Sequence, residues 1–338
     1  MTSLTITELG GPSGPDFDDF AAVYAAVDGE LTPEDPTITA AEIEAEYLRQ
    51  SERREVRTWV ARSGNRAIGA LVVEIPHAAN DRELRPEAYV LPDARRQGVG
   101  SALLSEGLAA TSPGRNRVAA WVQNDAAGGL CRGLGMTHRQ IERCSRLRIT
   151  DVEPTQQRQW IDDAPARADG YRVVSWQGPC PDEYVDAFCT ALDAMADMPV
   201  DDLVHEHAPT RPRDVREKEA VYSDAHEPFA SLALGPGGEA AGMTLIWASR
   251  NRPGLAYQDD TAVVAAHRGH ALGRWLKAAN LGQVLAARSQ LRTVETYNAE
   301  SNPWMLEINV DMGFRPFKAF DAYQGPLDDA MRALGATG

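Results

Sequence analysis

Along this chain the apolar residues switch from a period of two to a period near 3.6 and back, and the same succession occurs twice. Arg57–Ala61 and Ala67–Ile75 alternate or are β-branched and flank the turn Ser63–Arg66. Phe229–Leu234 and Ala240–Trp247 do the same around the glycine-rich turn Gly235–Glu239. Both patterns predict β-hairpins. Each is followed by a β-type run ending at Val90 or Val263, a loop with glycine and arginine, and a helical stretch. The helical spacing is carried by Leu103, Leu104 and Leu108 in the first copy and by Leu272, Leu276 and Ala279 in the second.

The match continues downstream. A strand, Arg117–Val122 or Thr293–Tyr297, leads to an asparagine, Asn124 or Asn302, and to a helix ending at Gly135 or Gly313. The interval from asparagine to glycine is 11 residues in both copies. Helical stretches at Phe17–Val27 and Thr39–Glu52 open the first copy; Pro181–Met195 and Pro212–Tyr222 open the second. The plan predicted for each half is β-α-α-β-β-β-α-β-α-β, an α/β fold with a mixed sheet flanked by helices. With 338 residues, two domains are the natural partition. The boundaries expected are 1–150 and 171–338, joined by a polar connector at 151–170 with one helical turn near Gln157–Ile161.

Composition narrows the function classes. A hydrophobic fraction of 43% suffices for two cores. The net charge of −15 argues against a nucleic-acid partner and against an anionic membrane surface. It favours a cationic small molecule, although the same charge also serves solubility. Cys131, Cys144, Cys180 and Cys189 form no CxxC pair, and no apolar run approaches the length of a membrane span. A cytoplasmic protein with reduced thiols, monomeric or homodimeric, is expected. No metal is expected, because His205-Glu206-His207 aligns its histidines only on a strand.

The two loops carry the chemistry. Val90–Ser101 and Val263–Gly273 each join a strand end to a helix N-terminus, where successive backbone N–H groups form an anion nest that glycine lets a ligand approach. That geometry suits a pyrophosphate.

With its V-x-P-x-x-R-x-x-G-x-G loop, this order of elements resembles the GNAT superfamily of acetyl-CoA-dependent N-acetyltransferases, here in the tandem form of actinobacterial type. The resemblance implies two consecutive GNAT-like domains and a coenzyme A donor. Backbone groups of Gln97, Gly98, Val99, Gly100 and Ser101 would cradle the phosphates in the first half. Gly269, His270, Ala271, Leu272 and Gly273, with His267 beside them, would do so in the second. Arg95, Arg96 and Arg268 would add charge. The strand ends Val90–Leu91 and Val263–Val264 would pair with the pantetheine arm, and Asn124, Asn298 and Asn302 would bond it or order the following helix.

The second loop departs from the family pattern, because Ala271 stands where the central glycine is expected. Its Cβ crowds a phosphate unless φ stays right-handed and helical, as alanine favours. For proton transfer the resemblance points to Glu87 and Asp260, each three residues before the loop valine. The tyrosine that many relatives carry four residues before the Gly-aromatic pair is replaced by Cys131 and Asn309, so Cys131 is the one candidate acid. The function implied is transfer of an acyl group, most simply acetyl, to a small-molecule primary amine or a peptide amine, with the chemistry assigned to the second half. Alternatives are a non-catalytic acyl-CoA-binding scaffold and a longer-chain acyltransferase of a natural-product pathway.

Overall fold

The computed structural model describes residues 3–336. The first half comprises β1 (Leu4–Glu8), α1 (Pro15–Leu31), α2 (Ala40–Tyr47), β2 (Arg54–Ser63), β3 (Arg66–Pro76), β4 (Glu83–Val90), α3 (Val99–Thr111), β5 (Arg117–Val122), α4 (Asp125–Gly133) and β6 (Thr137–Arg148). Two helices follow, α5 (Pro154–Asp162) and α6 (Ala164–Arg167). The second half comprises β7 (Arg172–Gln177), α7 (Val185–Asp193), α8 (Pro212–Tyr222), β8 (His226–Leu234), β9 (Ala240–Ser249), β10 (Leu255–Val263), α9 (Leu272–Ala287), β11 (Thr293–Ala299), α10 (Pro303–Met312) and β12 (Arg315–Pro326), closed by α11 (Leu327–Ala333). The order expected from the sequence recurs in both halves.

Local chemistry sets several boundaries. Thr39 and Glu42 form a reciprocal capping box that starts α2. The helix ends at Tyr47 rather than continuing to Glu52, because Gln50 turns its side-chain amide onto the backbone of Val56. Both bonds of that pair are 2.7 Å. Ser51 then bridges to Arg54. The segment expected as a polar connector is helical: Pro154 occupies the first turn of α5, and Gln157 donates to the Ala278 carbonyl at 2.8 Å.

The chain divides into two compact units that are not contiguous in sequence. One runs through Gln140 and adds 202–206 and the residues from Phe320 onward; the other holds 141–201 and 207–319. The expected boundary at 150 therefore falls inside the second unit, and the expectation that the second domain runs to 338 differs from this division. Residues 1–2 and 337–338 lie outside the described residues.

In the first unit the strands are ordered β1-β2-β3-β4-β5-β12, where β12 contributes Asp321–Pro326 antiparallel to β5. Helix α3 covers one face over Leu71, Leu84, Leu103, Leu108 and Val118, joined by Tyr323, Leu327 and Met331 from the C-terminal segment. Helices α1 and α2 cover the other through Phe20, Tyr24 and Ile43.

In the second unit the order is β6-β11-β10-β9-β8-β7, with β6 entering from Glu142. Helix α9 covers one face with Leu272, Leu276, Leu281 and Val284, and α7 and α8 cover the other with Phe188 and Val215. Gly69 and Gly242 hold equivalent positions under α3 and α9. A Cβ on Gly69 would meet Leu103 and Val99 at 2.9 Å, and one on Gly242 would meet the Ala262 carbonyl at 2.7 Å.

Candidate active site

The two loops share one backbone course. After β4 the chain makes a short 3₁₀ turn at Pro92–Ala94, and after β10 it makes one at Ala265–His267. Two left-handed residues follow in each loop: Arg96 (φ +62°) and Gly98 (φ +84°), then Gly269 (φ +88°) and Ala271 (φ +57°). The second member of each pair is the N-cap of the following helix. Glycine thus occupies the second left-handed position in the first loop and the first in the second. Ala271 does not keep the right-handed φ expected of it. It takes the N-cap conformation that Gly98 takes, and the helix start imposes that turn on either residue.

Neither N-cap side chain accepts a hydrogen bond. The first bonds of the helices run from the amides of Ala102 and Trp275 to the carbonyls of Gly98 and Ala271. The amides of Val99, Gly100 and Ser101, and of Leu272, Gly273 and Arg274, precede that first bond and have no helical acceptor. They are donors aimed outward at the positive end of the helix dipole, as an anion site requires.

The loop arginines are held in matching poses. Arg95 donates to the Val90 carbonyl at 2.9 Å and to Glu30 of α1 at 2.9 Å. Arg268 donates to the Val263 carbonyl at 3.2 Å and to Asp197 at 2.7 Å. Arg96 is exposed. Gln97 donates to the Asp93 carbonyl at 2.8 Å. His267 bonds the Tyr171 hydroxyl at 3.0 Å, and the His270 ring nitrogen lies 3.2 Å from the Arg167 carbonyl. The 164–171 segment therefore braces the second loop.

Beside each loop two parallel strands diverge. β4 and β5 pair only at Glu83–Arg117 and Leu84–Val118, after which β4 continues to Val90 bonded to β3 alone. β10 and β11 pair from Leu255–Thr293 to Gln258–Thr296 and then separate. Each opening leaves unpaired strand backbone leading to Val90–Leu91 or Val263–Val264, where an extended amide-bearing chain can bond. β10 differs from β4 in one respect: a bulge against β9 between Gln258 and Thr261 takes up Asp259 and Asp260. Bulges re-aim side chains, and here the bulge lies where the strands part.

The bulge carries a charged cluster. Lys218 of α8 approaches Asp259 at 2.7 Å and Asp260 at 3.9 Å. The Trp247 indole N–H donates to Asp259 at 2.9 Å. Those two donors hold the Asp259 carboxyl below its usual range against the opposing effect of burial. Burial, and then repulsion from Asp259, push the Asp260 carboxyl up to about 6. The Lys218 ammonium is raised by the two aspartates despite its burial.

In the first unit Glu87 accepts a hydrogen bond from Tyr89. Protein around the carboxyl pushes its pKa up, with Glu74 adding to the rise, although the side chain keeps a surface open to water. Tyr89 packs on Tyr24 with ring centroids 4.7 Å apart, and Tyr24 bonds Tyr47 at 2.9 Å.

The remaining candidates have structural partners. Asn124 and Asn302 cap α4 and α10, accepting from Ala127 at 3.0 Å and Met305 at 3.2 Å. Asn298 accepts from Asn309 at 2.7 Å. Cys131 lies in the apolar core of the first unit, and burial pushes its thiol up to about 11. That setting supplies no contact with the cleft and does not suit a proton donor. Glu206 exchanges hydrogen bonds with Asn80, whereas His207 faces Asp193 at 3.4 Å.

Sequence reasoning did not find Lys218, the three tyrosines or the buried Lys277. One signal was available for the lysines. The chain has 34 basic residues, and only Lys218, Lys277 and Lys318 are lysines.

Among the described residues no helix is long and apolar enough to cross a membrane. No protein of the curated set matches the chain by sequence. The family described as Acetyltransferase (GNAT) domain matches residues 54–135, the stretch from β2 through the first loop to the end of α4. Among solved structures, a tandem GNAT protein from the clavulanic acid biosynthesis pathway is 26% identical with a TM-score of 0.77, covering 96% of this chain and 99% of its own. A GCN5-related N-acetyltransferase from Sphaerobacter thermophilus is 15% identical with a TM-score of 0.67, covering 95% and 96%. N-myristoyltransferase from Saccharomyces cerevisiae, with bound myristoyl-CoA, shares the fold at 10% identity and a TM-score of 0.59, covering 96% and 80%. Residues 54–135 are a GNAT acetyltransferase domain, and over nearly its whole length the chain is similar to a tandem GNAT protein.

Proposed function

We propose that this protein transfers an acyl group from acyl-CoA directly to a primary amine, and that the second unit performs the transfer. The helix N-termini of α3 and α9 suit the pyrophosphate, and the opening between β10 and β11 suits the pantetheine arm. The observation that carries the assignment is the carboxylate pair in the β10 bulge. Asp259, neutralised by Lys218, stays ionised; Asp260, crowded beside it, is poised near 6. An ammonium substrate must lose a proton before it attacks. A carboxylate with a pKa near 6 is ionised at neutral pH yet basic enough to take that proton, directly or through one water. As the new carbon–nitrogen bond forms and the carbon–sulfur bond breaks, the departing thiolate can collect a proton from solvent, since neither Cys131 nor Asn309 is placed to supply one. The acidic surface also favours a cationic acceptor, a small amine or peptide N-terminus.

A thiol-release assay with acetyl-CoA and a panel of primary amines tests the reading. Release that depends on an amine and is lost in Asp260→Asn supports it. Binding of acetyl-CoA without release across the panel would instead favour an acyl-CoA-binding scaffold.

A further inference from the structure

The floor of the second cleft differs in kind from that of the first, and sheet register makes the comparison exact residue by residue. Gly69 pairs with Val90, and Gly242 pairs with Val263. Counting from these anchors, Leu71 corresponds to Thr244, and Pro86 (opposite Val73) to Gln258 (opposite Ile246). Ala120, two residues beyond the Leu84–Val118 pair, corresponds to Thr296, two beyond Ala256–Val294. Four residues after Gly100 stands Leu104; four after Gly273 stands Lys277. Apolar groups in the first unit thus become polar ones in the second, and Thr244, Gln258, Thr296 and Lys277 are all buried.

The layers can be followed along α9. Leu281 packs in one cluster with Ala256 and Val294. One helical turn toward the N-terminus, about 5.4 Å, corresponds to about two residues along a strand. Because β10 and α9 run in opposite directions, that step leads from Ala256 and Val294 to Gln258 and Thr296, and from Leu281 to Lys277. A further turn brings Gly273, whose Cβ would lie 4.0 Å from Val263. By this count Lys277 falls on the turn of α9 level with Gln258 and Thr296, where β10 and β11 stop pairing.

Lys277 is 1% exposed, and no ion pair or hydrogen bond joins its ammonium to any described residue; its neighbour is the Phe314 ring at 5.6 Å. Burial alone draws its pKa down to about 7. In the same half, the Asn309 side-chain oxygen is buried without a donor. A chain that uses arginine for nearly every cation has a lysine here, and an arginine would stay charged in this setting. A buried cation without a counter-ion is costly unless a ligand supplies the charge.

We propose that the second unit takes an acyl-CoA whose acyl chain ends in a carboxylate, of the malonyl or succinyl class, with Lys277 at the apex of the β10–β11 opening as its counter-ion. This rests on the acyl-CoA reading of the cleft. The first unit, with Leu104 at the equivalent position, supplies an apolar floor and is expected to prefer an uncharged acyl chain.

Calorimetric titration with pairs matched in carbon number, malonyl-CoA against propionyl-CoA and succinyl-CoA against butyryl-CoA, tests the inference on the full chain. In the wild type a site should bind one of the carboxylate members at least about tenfold more tightly than its uncharged partner. In Lys277→Met, a substitution that fills the same volume without charge, that ratio should fall to one or below. A wild-type ratio near one, or a ratio that Lys277→Met leaves intact, overturns the carboxylate inference while leaving acyl-CoA binding standing. Failure of all four thioesters and of acetyl-CoA to bind would overturn the acyl-CoA reading as well.

Discussion

Ala271 and Gly98 hold the same left-handed N-cap position, of α9 and α3, at φ +57° and +84°. For alanine that conformation costs about 1 kcal/mol; for glycine it costs almost nothing. Ala271→Gly should therefore raise the melting temperature by about 2 °C, and Gly98→Ala should lower it by a similar amount. Equal and opposite shifts in differential scanning calorimetry would fit; a destabilised Ala271→Gly would show that its methyl packs usefully.

The carboxylate pair gives a kinetic signature. Asp260 is raised, so it becomes the ionised base only as pH climbs through about 6, and turnover should rise through that value to a plateau. Asp260→Asn should lower kcat about 10²-fold or more and abolish this limb. Lys218→Met removes a cation that holds Asp260 down, so the limb should move to higher pH. A pH–rate profile in which Lys218→Met leaves the limb unmoved would detach Asp260 from it.

These features differ in how far the sequence disclosed them. The duplicated order, both loops and the positions of Glu87 and Asp260 are local patterns of period and spacing, and a linear reading captures them. The left-handed φ of Ala271 ran against alanine's own preference, because tertiary geometry at the helix start overrode it. Lys218 and Asp259 are 41 residues apart and meet through packing of α8 on the sheet. Only one turn of α5 was legible, near Gln157–Ile161, because its polar residues, Gln156, Gln157 and Arg158, dilute the apolar period of the full helix Pro154–Asp162. The exchange of β12 into the first unit leaves no local trace, since a strand reads alike whichever neighbour it pairs with.

That exchange predicts interdependence. The residues from Phe320 onward give the first unit a strand against β5 and place Tyr323, Leu327 and Met331 in its core. Burial of three such side chains contributes on the order of 5 kcal/mol, comparable to the whole stability of a small domain. A 1–150 fragment should lack a cooperative thermal transition, and so should the chain truncated after Ala319 over the part of the signal belonging to the first unit. Hydrogen exchange by mass spectrometry resolves the two units. Native-like protection of β4 and β5 in the fragment would refute the expectation.

The two loop arginines allow the halves to be tested against each other. Arg268→Ala removes a charge beside the second cradle and releases Asp197, and it should lower kcat/KM about tenfold or more. Arg95→Ala should leave turnover near wild type while weakening acyl-CoA binding in the first unit. Turnover abolished by Arg95→Ala alone would move the chemistry to the first half, with Glu87 and its tyrosines as the site.

Lys277 yields a prediction that needs no ligand. Its folded pKa, near 7, lies below its unfolded value of 10.5, so between these limits the unfolded chain binds the extra proton. Stability contributed through this group therefore rises with pH from about 7 to about 10.5; below 7 the amine is protonated in both states and the cost of burying its charge is full and constant. The neighbour of its ammonium, the Phe314 ring, does not titrate. Lys277→Met removes that cost, and about 2–4 kcal/mol of added stability is expected at pH 7. The gap between variant and wild type should be widest at or below pH 7 and close toward pH 10.5 in denaturant titrations. A gap independent of pH would mean that Lys277 keeps its proton in the folded state, paired with a group that its surroundings do not reveal.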